Sequence, residues 1–494
     1  MKTFTPTPEA CQLLLEGTLA LSEIEGHGIR IDRDYLEKAL TDTAEQIKSL
    51  EQKMRQDDDY RLWSRQFGDR TNLASAEQLA TIVFTEKGFK SKVKTKSGKR
   101  ASASEKALEG INLPIVKMYL EMQHLRKGRD AFLAGIHREM VQHEDGDHYI
   151  HTNFNLNIAI TFRSSSDSPN LHNMPTRSPM MADMVRRCMV PRRGHQFVEM
   201  DFGQIEVRIP TAYSYDPNLM GYCCDPTKDM HREVACQLFM LEPGQVSKGS
   251  RHLAKNQCVF PFFYGSYYLQ IAKNVWEFLD IYQYKIEGTD KTIKEHLAEH
   301  GITELGECDS TKSPVKGTYE YHVKEIEDDF WNVRFPVHAQ WKKDWIAAYY
   351  ENGGYQFKSG FITVGPHKRN EITSYCIQGD AAMCKLWSLV QVNKKLKRYK
   401  MRSRCINEIH DAFLFDADPK ERDDLIDIAV QVMTQDIKKW AMWLPVPLTA
   451  EPEACPIDKS WYDKVSLKEE KGTWVPVKMK DWEKSYGPWG DQCL

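Results

Sequence analysis

The sequence has no run of about 18 apolar residues, so no membrane-spanning helix is expected. It has no secretory pattern at its start. MKTFTPTPEACQLLLEG offers one Lys, then polar residues and Pro, in place of a continuous apolar stretch. Its twelve cysteines form no Cys-x-x-Cys and no paired Cys/His spacing of the zinc kind. Neither a structural zinc nor a disulfide framework is expected; free thiols of a reducing compartment are. The chain also lacks a basic excess. Lys and Arg number 67 against 70 Asp and Glu, a net charge of −3, which speaks mildly against a nucleic-acid partner. No internal repeats occur. Length is not lacking: 494 residues exceed one ordinary core and imply two to four structural units. Charged residues at 28% and hydrophobic ones at 41% fit a globular protein.

Charge distribution says more than the total. KSKVKTKSGKR at 90–100 and KKLKRYKMRSR at 394–404 are strongly basic, and each is a candidate for neutralising backbone phosphates. The alternative for such a run is a solvated face. Leu13, Leu14, Leu15, Leu19, Leu21 and Ile24 mark a first helix within 9–55, broken at Gly26 and Gly28. A second follows from about Asp34. Residues 71–87 and 103–142 also read as helical. From about 147 the texture changes to strands and then an extended loop, through HYIHTNFNLNIAITFRSSSDSPNLHNMP. A short apolar strand in 195–209 runs into Asp201. Helices are expected over 229–280, 326–352, 371–396 and 420–442, with a β-hairpin at 405–418. The stretch 284–325 reads as irregular, and the last 30 residues show little periodicity.

Two acidic residues sit where strands end: Asp201 after FVEM, and Asp411 between INEIH and AFLFDAD. Carboxylates converging from two strands can hold two divalent ions about 4 Å apart, an arrangement that suits Mg²⁺ with phosphates and water as further ligands. Alone, either Asp is more often a turn or cap residue. Their company weighs against that. RHLAK puts Arg251 and Lys255 at i and i+4 on one helical face, and the helix continues into QCVFPFFYGSYYL. Cations beside aromatics suit a nucleotide, phosphates at one end and a stacked base at the other.

These segments, in order, resemble the motifs of family A DNA polymerases, the bacterial DNA polymerase I group and its phage relatives. DFGQIEVRI looks like the first catalytic motif, RHLAKNQCVFPFFYG the second and INEIHDAF the third. TFRSSSDSPNLHNMP, TKDMHREVACQLF and CIQGDAAMCKLW are similar to the segments between them. EGTLALSEIEGHGIRID is similar to the opening of the polymerase module, so the likeness covers about residues 9–462. The resemblance implies an α+β right-hand polymerase with helical thumb and fingers and an antiparallel-sheet palm. Residues 1–150 would give the thumb and N-terminal helices, 151–230 the first part of the palm, 231–365 the fingers, 366–462 the second part of the palm and 463–494 a C-terminal tail.

The resemblance also implies roles. Asp201 and Asp411 would bind two Mg²⁺ ions. Arg251, Lys255 and His231 would contact the triphosphate, with Lys255 as proton donor to the leaving group. Glu206 would exclude a 2′ hydroxyl, with Phe202 packed beside it. Phe260 and Tyr264 would face the nucleotide, Tyr264 near the templating base. Arg163, Asn170, Asn173, Gln378 and His410 would contact primer–template DNA. The implied activity is addition of deoxynucleotides to a primer 3′ end, in the cytoplasm of a bacterial or phage-infected cell. No proofreading domain is expected upstream, so a separate exonuclease or a processivity factor is an expected partner. The alternatives are a single-subunit RNA polymerase and a polymerase-like DNA-binding protein without activity.

The sequence departs from the family in three of its motifs. Lys255 and Tyr264 are nine residues apart where the family has eight, and each extra residue turns a helix by about 100°. Pro261 adds a further disturbance. A π-type bulge or kink between 256 and 261 is therefore expected, returning Phe260 and Tyr264 to the nucleotide side. The third motif reads His-Asp-Ala where the family has His-Asp-Glu, so Ala412 removes a helper carboxylate. At the start of the palm helix Asn370 and Ser374 also differ, with His367, Lys368 and Arg369 nearby.

Overall fold

The computed structural model describes residues 3–89, 105–108, 111–175 and 179–477. Its strands, in chain order, are β1 (Ile29–Ile31), β2 (Val141–Gln142), β3 (His148–Ile150), β4 (Asn153–Asn155), β5 (Ser165–Asp167), β6 (Met189–Val190) and β7 (Gln196–Phe202). There follow β8 (Gly354–Gln356), β9 (Ile362–Val364), β10 (Arg404–Ile409), β11 (Ala412–Ala417), β12 (Ala450–Ala454), β13 (Val465–Glu470) and β14 (Thr473–Pro476). Six of them make the main sheet, in the order β10-β11-β7-β12-β13-β14, every pair antiparallel. Helices dominate the rest, so the class is mixed α+β.

Alternation along β7 explains how the sheet is covered. Val198, Met200 and Phe202 point to one face, with Phe413 and Phe415 of β11. The long helix Arg369–Arg398 and the N-terminal helix Pro8–His27 lie on that face, contributing Ile377, Ala381, Leu389, Leu13 and Leu21. At Gly17 a side chain would collide with Leu386, so glycine permits the two helices to approach this closely. Glu199 and Asp201 face the opposite way, and the site is built there. A second core gathers Val234, Leu238, Leu253, Cys258, Phe262 and Leu279 from residues 207–335. Another lies among helices of residues 33–126, around Trp63, Ile115 and Met122.

Three expectations from the sequence need correction. The stretch 284–325 contains the helix Ile293–Glu299, capped by Thr292 and Glu295, and the start of the helix Tyr319–Asp329. After 462 the chain adds β13 and β14 to the sheet edge. β13 is mostly exposed with charge on both faces, and β14 is only four residues long, so neither carries a clear alternating signal. The basic run 394–404 is largely neutralised within the molecule. Lys394 pairs with Glu16 and Lys395 with Asp436, both at 2.7 Å, Lys397 with Glu23, and Arg402 with Asp418 at 2.9 Å. The other basic run, 90–100, lies outside the described residues, as does 478–494 of the tail. Among the described residues no helix is long and apolar enough to cross a membrane.

Candidate functional site

The two aspartates meet because β11 pairs beside β7. Asp201 lies opposite Ala412, the residue after Asp411, and the Phe202 amide donates to the Asp411 carbonyl at 3.3 Å. His410 and Asp411 form the two-residue turn between β10 and β11, with His410 at φ 52°, the left-handed region that such tight hairpins require. Burial, then Asp411 and Glu199, push the Asp201 carboxyl up to about 7. The Asp411 carboxyl is also raised, by burial and by Glu206. Its Oδ1 is buried with no hydrogen-bond partner. Two carboxylates in this position resist being ionised together until a cation joins them, which fits the donor set of a hard divalent ion.

After β7 the chain turns through Gly203 and Gln204 into the helix Ile205–Ser214. Sequence reasoning missed the residue that holds this turn. Arg208 donates to the Gly203 carbonyl at 3.0 Å, the Pro447 carbonyl at 2.6 Å and the Cys223 carbonyl at 2.8 Å. It thereby joins the end of β7 to the chain leading into β12. The Gly203 amide completes the junction with the Thr449 carbonyl at 2.8 Å.

Glu206, on the first turn of that helix, accepts from Arg163 on one carboxylate oxygen and from the Tyr264 hydroxyl on the other. Burial and Glu206 push the Tyr264 hydroxyl above its ordinary range. Tyr264 arrives by a helix with an inserted turn. The α-helix Lys248–Ala254 passes into a π turn, Lys255–Val259, and resumes as Phe260–Phe263. This is the bulge that the extra residue demanded. Phe263 points away, into the core with Phe330, Phe335 and His338.

Lys255 lies within electrostatic reach of Asp201, Glu206 and Glu451, and burial followed by Arg251 lowers its ammonium below the ordinary lysine range. Its Nζ stands 5.2 Å from the Phe260 ring centre. Arg251 pairs with Asp229 at 2.7 Å, the N-cap of the helix Met230–Phe239. His231 follows on that helix, buried, with both ring nitrogens unpartnered and its ring packed edge-on to Phe260. Burial, then Arg251 and Lys255, lower it to about 4. Arg251, Lys228 and Arg208 line a cavity of about 190 Å³ together with Asp229 and His231.

Not every expected residue joins them. Phe202 is 3% exposed on the opposite face of the sheet, in the core, because strand alternation turns it away from Asp201. Asn170 and Asn173 are exposed near the hairpin, and the Asn170 side chain accepts from the Asn173 amide at 3.2 Å. Gln378 is half-buried on the long helix. Beneath the hairpin lies a group that the sequence did not reveal. Glu408 and Lys385 form a buried ion pair, Ser164 donates to Glu408, and His172 approaches it at 3.5 Å. The His172 ring is 6.2 Å from that of His410. A lysine in a helix and a glutamate in a strand, 23 positions apart, carry no local signal of pairing.

The family model described as DNA polymerase family A matches residues 33–296. Over 238 residues the chain is 33% identical to the thermostable DNA polymerase I of Thermus filiformis, covering 48% of this chain and 27% of that protein. Over 466 residues it is 24% identical to DNA polymerase I of Bacillus subtilis, covering 90% of this chain and 44% of that one. The chain thus spans less than half the length of these curated relatives. Among solved structures it is similar to the POL domain of Pol1 from M. smegmatis, in complex with DNA primer-template and dNTP. The TM-score is 0.68 at 22% identity, with 91% of this chain and 70% of that chain covered.

Proposed function

The chain belongs to DNA polymerase family A, and on that premise we propose that it extends a primer 3′ end with deoxynucleotides under the direction of a DNA template. In this reading the six-stranded sheet with the helix Arg369–Arg398 is the palm, and the helices of residues 231–365 are the fingers. The helices of residues 33–139 are the thumb.

The single observation that carries the proposal is the pairing of β7 with β11. It sets Asp201 beside Asp411, while Lys255 and Glu206 approach from the helices facing them. Asp201 and Asp411 would hold two Mg²⁺, and the unpartnered Asp411 Oδ1 supports that fit. Bound there, the ions would supply Lewis-acid stabilisation of charge on the transferring phosphoryl group. The protein's own groups do the rest. Lys255, Arg251 and His231 would bind the triphosphate; Arg251 and His231 line one cavity, and Lys255 lies within electrostatic reach of Asp201. Lys255 would give its proton to the departing pyrophosphate, and its depressed basicity suits a general acid. Glu206 would bar a 2′ hydroxyl. Arg163 and His410 would contact the primer terminus and its minor groove, where readout is nearly sequence-blind.

The test is extension of a labelled primer on a DNA template with Mg²⁺, comparing the protein with Asp411→Ala and supplying deoxynucleotides or ribonucleotides separately. Extension with deoxynucleotides that the substitution abolishes supports the proposal. Extension only with ribonucleotides, or none by the folded protein, overturns it.

A further inference from the structure

Asp201 has a neighbour on each side. In register on β11 stands Ala412, and in register on β12 stands Glu451. Residues directly opposite in adjacent antiparallel strands project from the same face, with Cβ atoms about 5 Å apart. The position that holds no carboxylate on one side of Asp201 is therefore matched by one that does on the other. Gly203 sharpens the placement. A Cβ at Gly203 would stand 2.9 Å from Glu451 Oε1, so the carboxylate lies over the turn between Asp201 and Glu206, in space that the missing side chain leaves open.

The rung below is a built-in comparison. Two residues along, Glu199 faces Glu453 across the same strands. Like charges directly opposite repel, and there the protein supplies the remedy. Lys464 reaches both carboxylates, at 2.7 and 2.6 Å, and the Trp461 indole donates to Glu199 at 2.7 Å. The Asp201–Glu451 rung receives no such cation: no Lys, Arg or His among the described residues is within salt-bridge distance of either carboxylate. On the same side, Asp411 Oδ1 is buried and unpartnered. One acidic rung is closed by a lysine and the next is left open, toward the side from which Lys255 approaches.

We propose that Glu451 is a third carboxylate of the divalent-cation site, acting from β12 in the role that Ala412 cannot fill from β11. The inference rests on the two-aspartate reading and deepens it. Glu451 holds the cation environment together by charge and by accepting hydrogen bonds from water on the ion, with Asp201 and Asp411 as the principal ligands.

The experiment counts Mn²⁺ bound to the full chain, without substrate, from the electron paramagnetic resonance signal of the free ion. It compares the protein with Glu451→Gln, Glu453→Gln and Asp411→Asn, and with Ala412→Glu added to Glu451→Gln. Outer-shell partners commonly account for about 10- to 100-fold in metal affinity. The expected result is a loss of about tenfold or more in Glu451→Gln, none in Glu453→Gln, and recovery when Ala412→Glu is added. Loss in Asp411→Asn with none in Glu451→Gln overturns the inference and leaves the two-aspartate reading standing. Equal losses in Glu451→Gln and Glu453→Gln also overturn it, since only general charge is then at work. No loss in any variant overturns both.

Discussion

Lys255 and Tyr264 stand nine residues apart in the chain, yet Tyr264 donates to Glu206 and Lys255 lies within electrostatic reach of the same carboxylate. In an uninterrupted α-helix nine residues give two and a half turns, so the two side chains would point in opposite directions. The π turn at Lys255–Val259 takes up one residue and restores the shared face. Pro261 follows in the first turn of the resumed helix, where its missing amide costs least.

Deleting Gln257 should convert that turn to ordinary α-helix without moving either face. The variant is expected to fold, and to extend primers within about tenfold of the parent, because the register of Lys255 and Tyr264 is preserved. Inserting an alanine at the same place should abolish extension while the far-ultraviolet circular dichroism stays helical. Loss of activity in the deletion variant would contradict this account.

Glu206 is held by Arg163 and Tyr264 and lies within electrostatic reach of Asp411. Glu206→Ala is expected to raise incorporation of ribonucleotides relative to deoxynucleotides by about 10- to 100-fold, the usual range for relief of one steric contact. Tyr264→Phe removes one of the two donors to the carboxylate and should shift selectivity in the same direction, more weakly. Competition between the two nucleotide types on one primer measures both; an unchanged ratio in Glu206→Ala would remove the glutamate from this role.

Lys255→Ala should lower kcat by about 10²- to 10⁴-fold, the range for loss of a general acid. The ammonium is held below the ordinary lysine range, so the alkaline limb of the kcat profile should fall below the pH at which a free lysine titrates. Lys255→Arg, always protonated, should lose that limb. Pre-steady-state rates across pH 6 to 10 give the comparison.

Burial alone would raise the Glu408 carboxyl; Lys385 and His172 outweigh it and hold it at about 2. A depressed carboxylate contributes stability above its unfolded pKa and loses it as pH falls toward the folded one. The window is therefore about pH 4.5 down to about 2. Lys385→Met should destabilise by about 3–5 kcal/mol at neutral pH, since it leaves a buried charge unpaired. Lys385→Met with Glu408→Gln should recover most of that and flatten the dependence on pH in the acid window. Chemical denaturation between pH 2 and 7 tests both.

Much of the site was legible before any folding was considered. Asp201 and Asp411 were marked by apolar strands ending at each, and Lys255, Glu206 and Tyr264 by their places in recognisable segments. The expected π bulge followed from the one residue by which the Lys255–Tyr264 spacing exceeds that of the resembled family, together with the helical angle. Phe202 was expected beside Glu206 from the resemblance alone; strand alternation turns its side chain away from Asp201 into the core. Lys385, Glu408 and Arg208 were missed since nothing local marks them. Arg208 acts by donating to three main-chain carbonyls, and no side-chain pattern announces a carbonyl.

By itself the sequence determined, through its resemblance to family A polymerases, the class of fold, the family and the order of its motifs, and through residue type and periodicity the helices, strands and acidic and cationic residues from which a site could be made. Only the tertiary structure decided which carboxylates face one another. Asp201 lies between Ala412 and Glu451 because β7 pairs with β11 on one side and β12 on the other. A shift of one residue in either register would have sent the partner to the far face of the sheet.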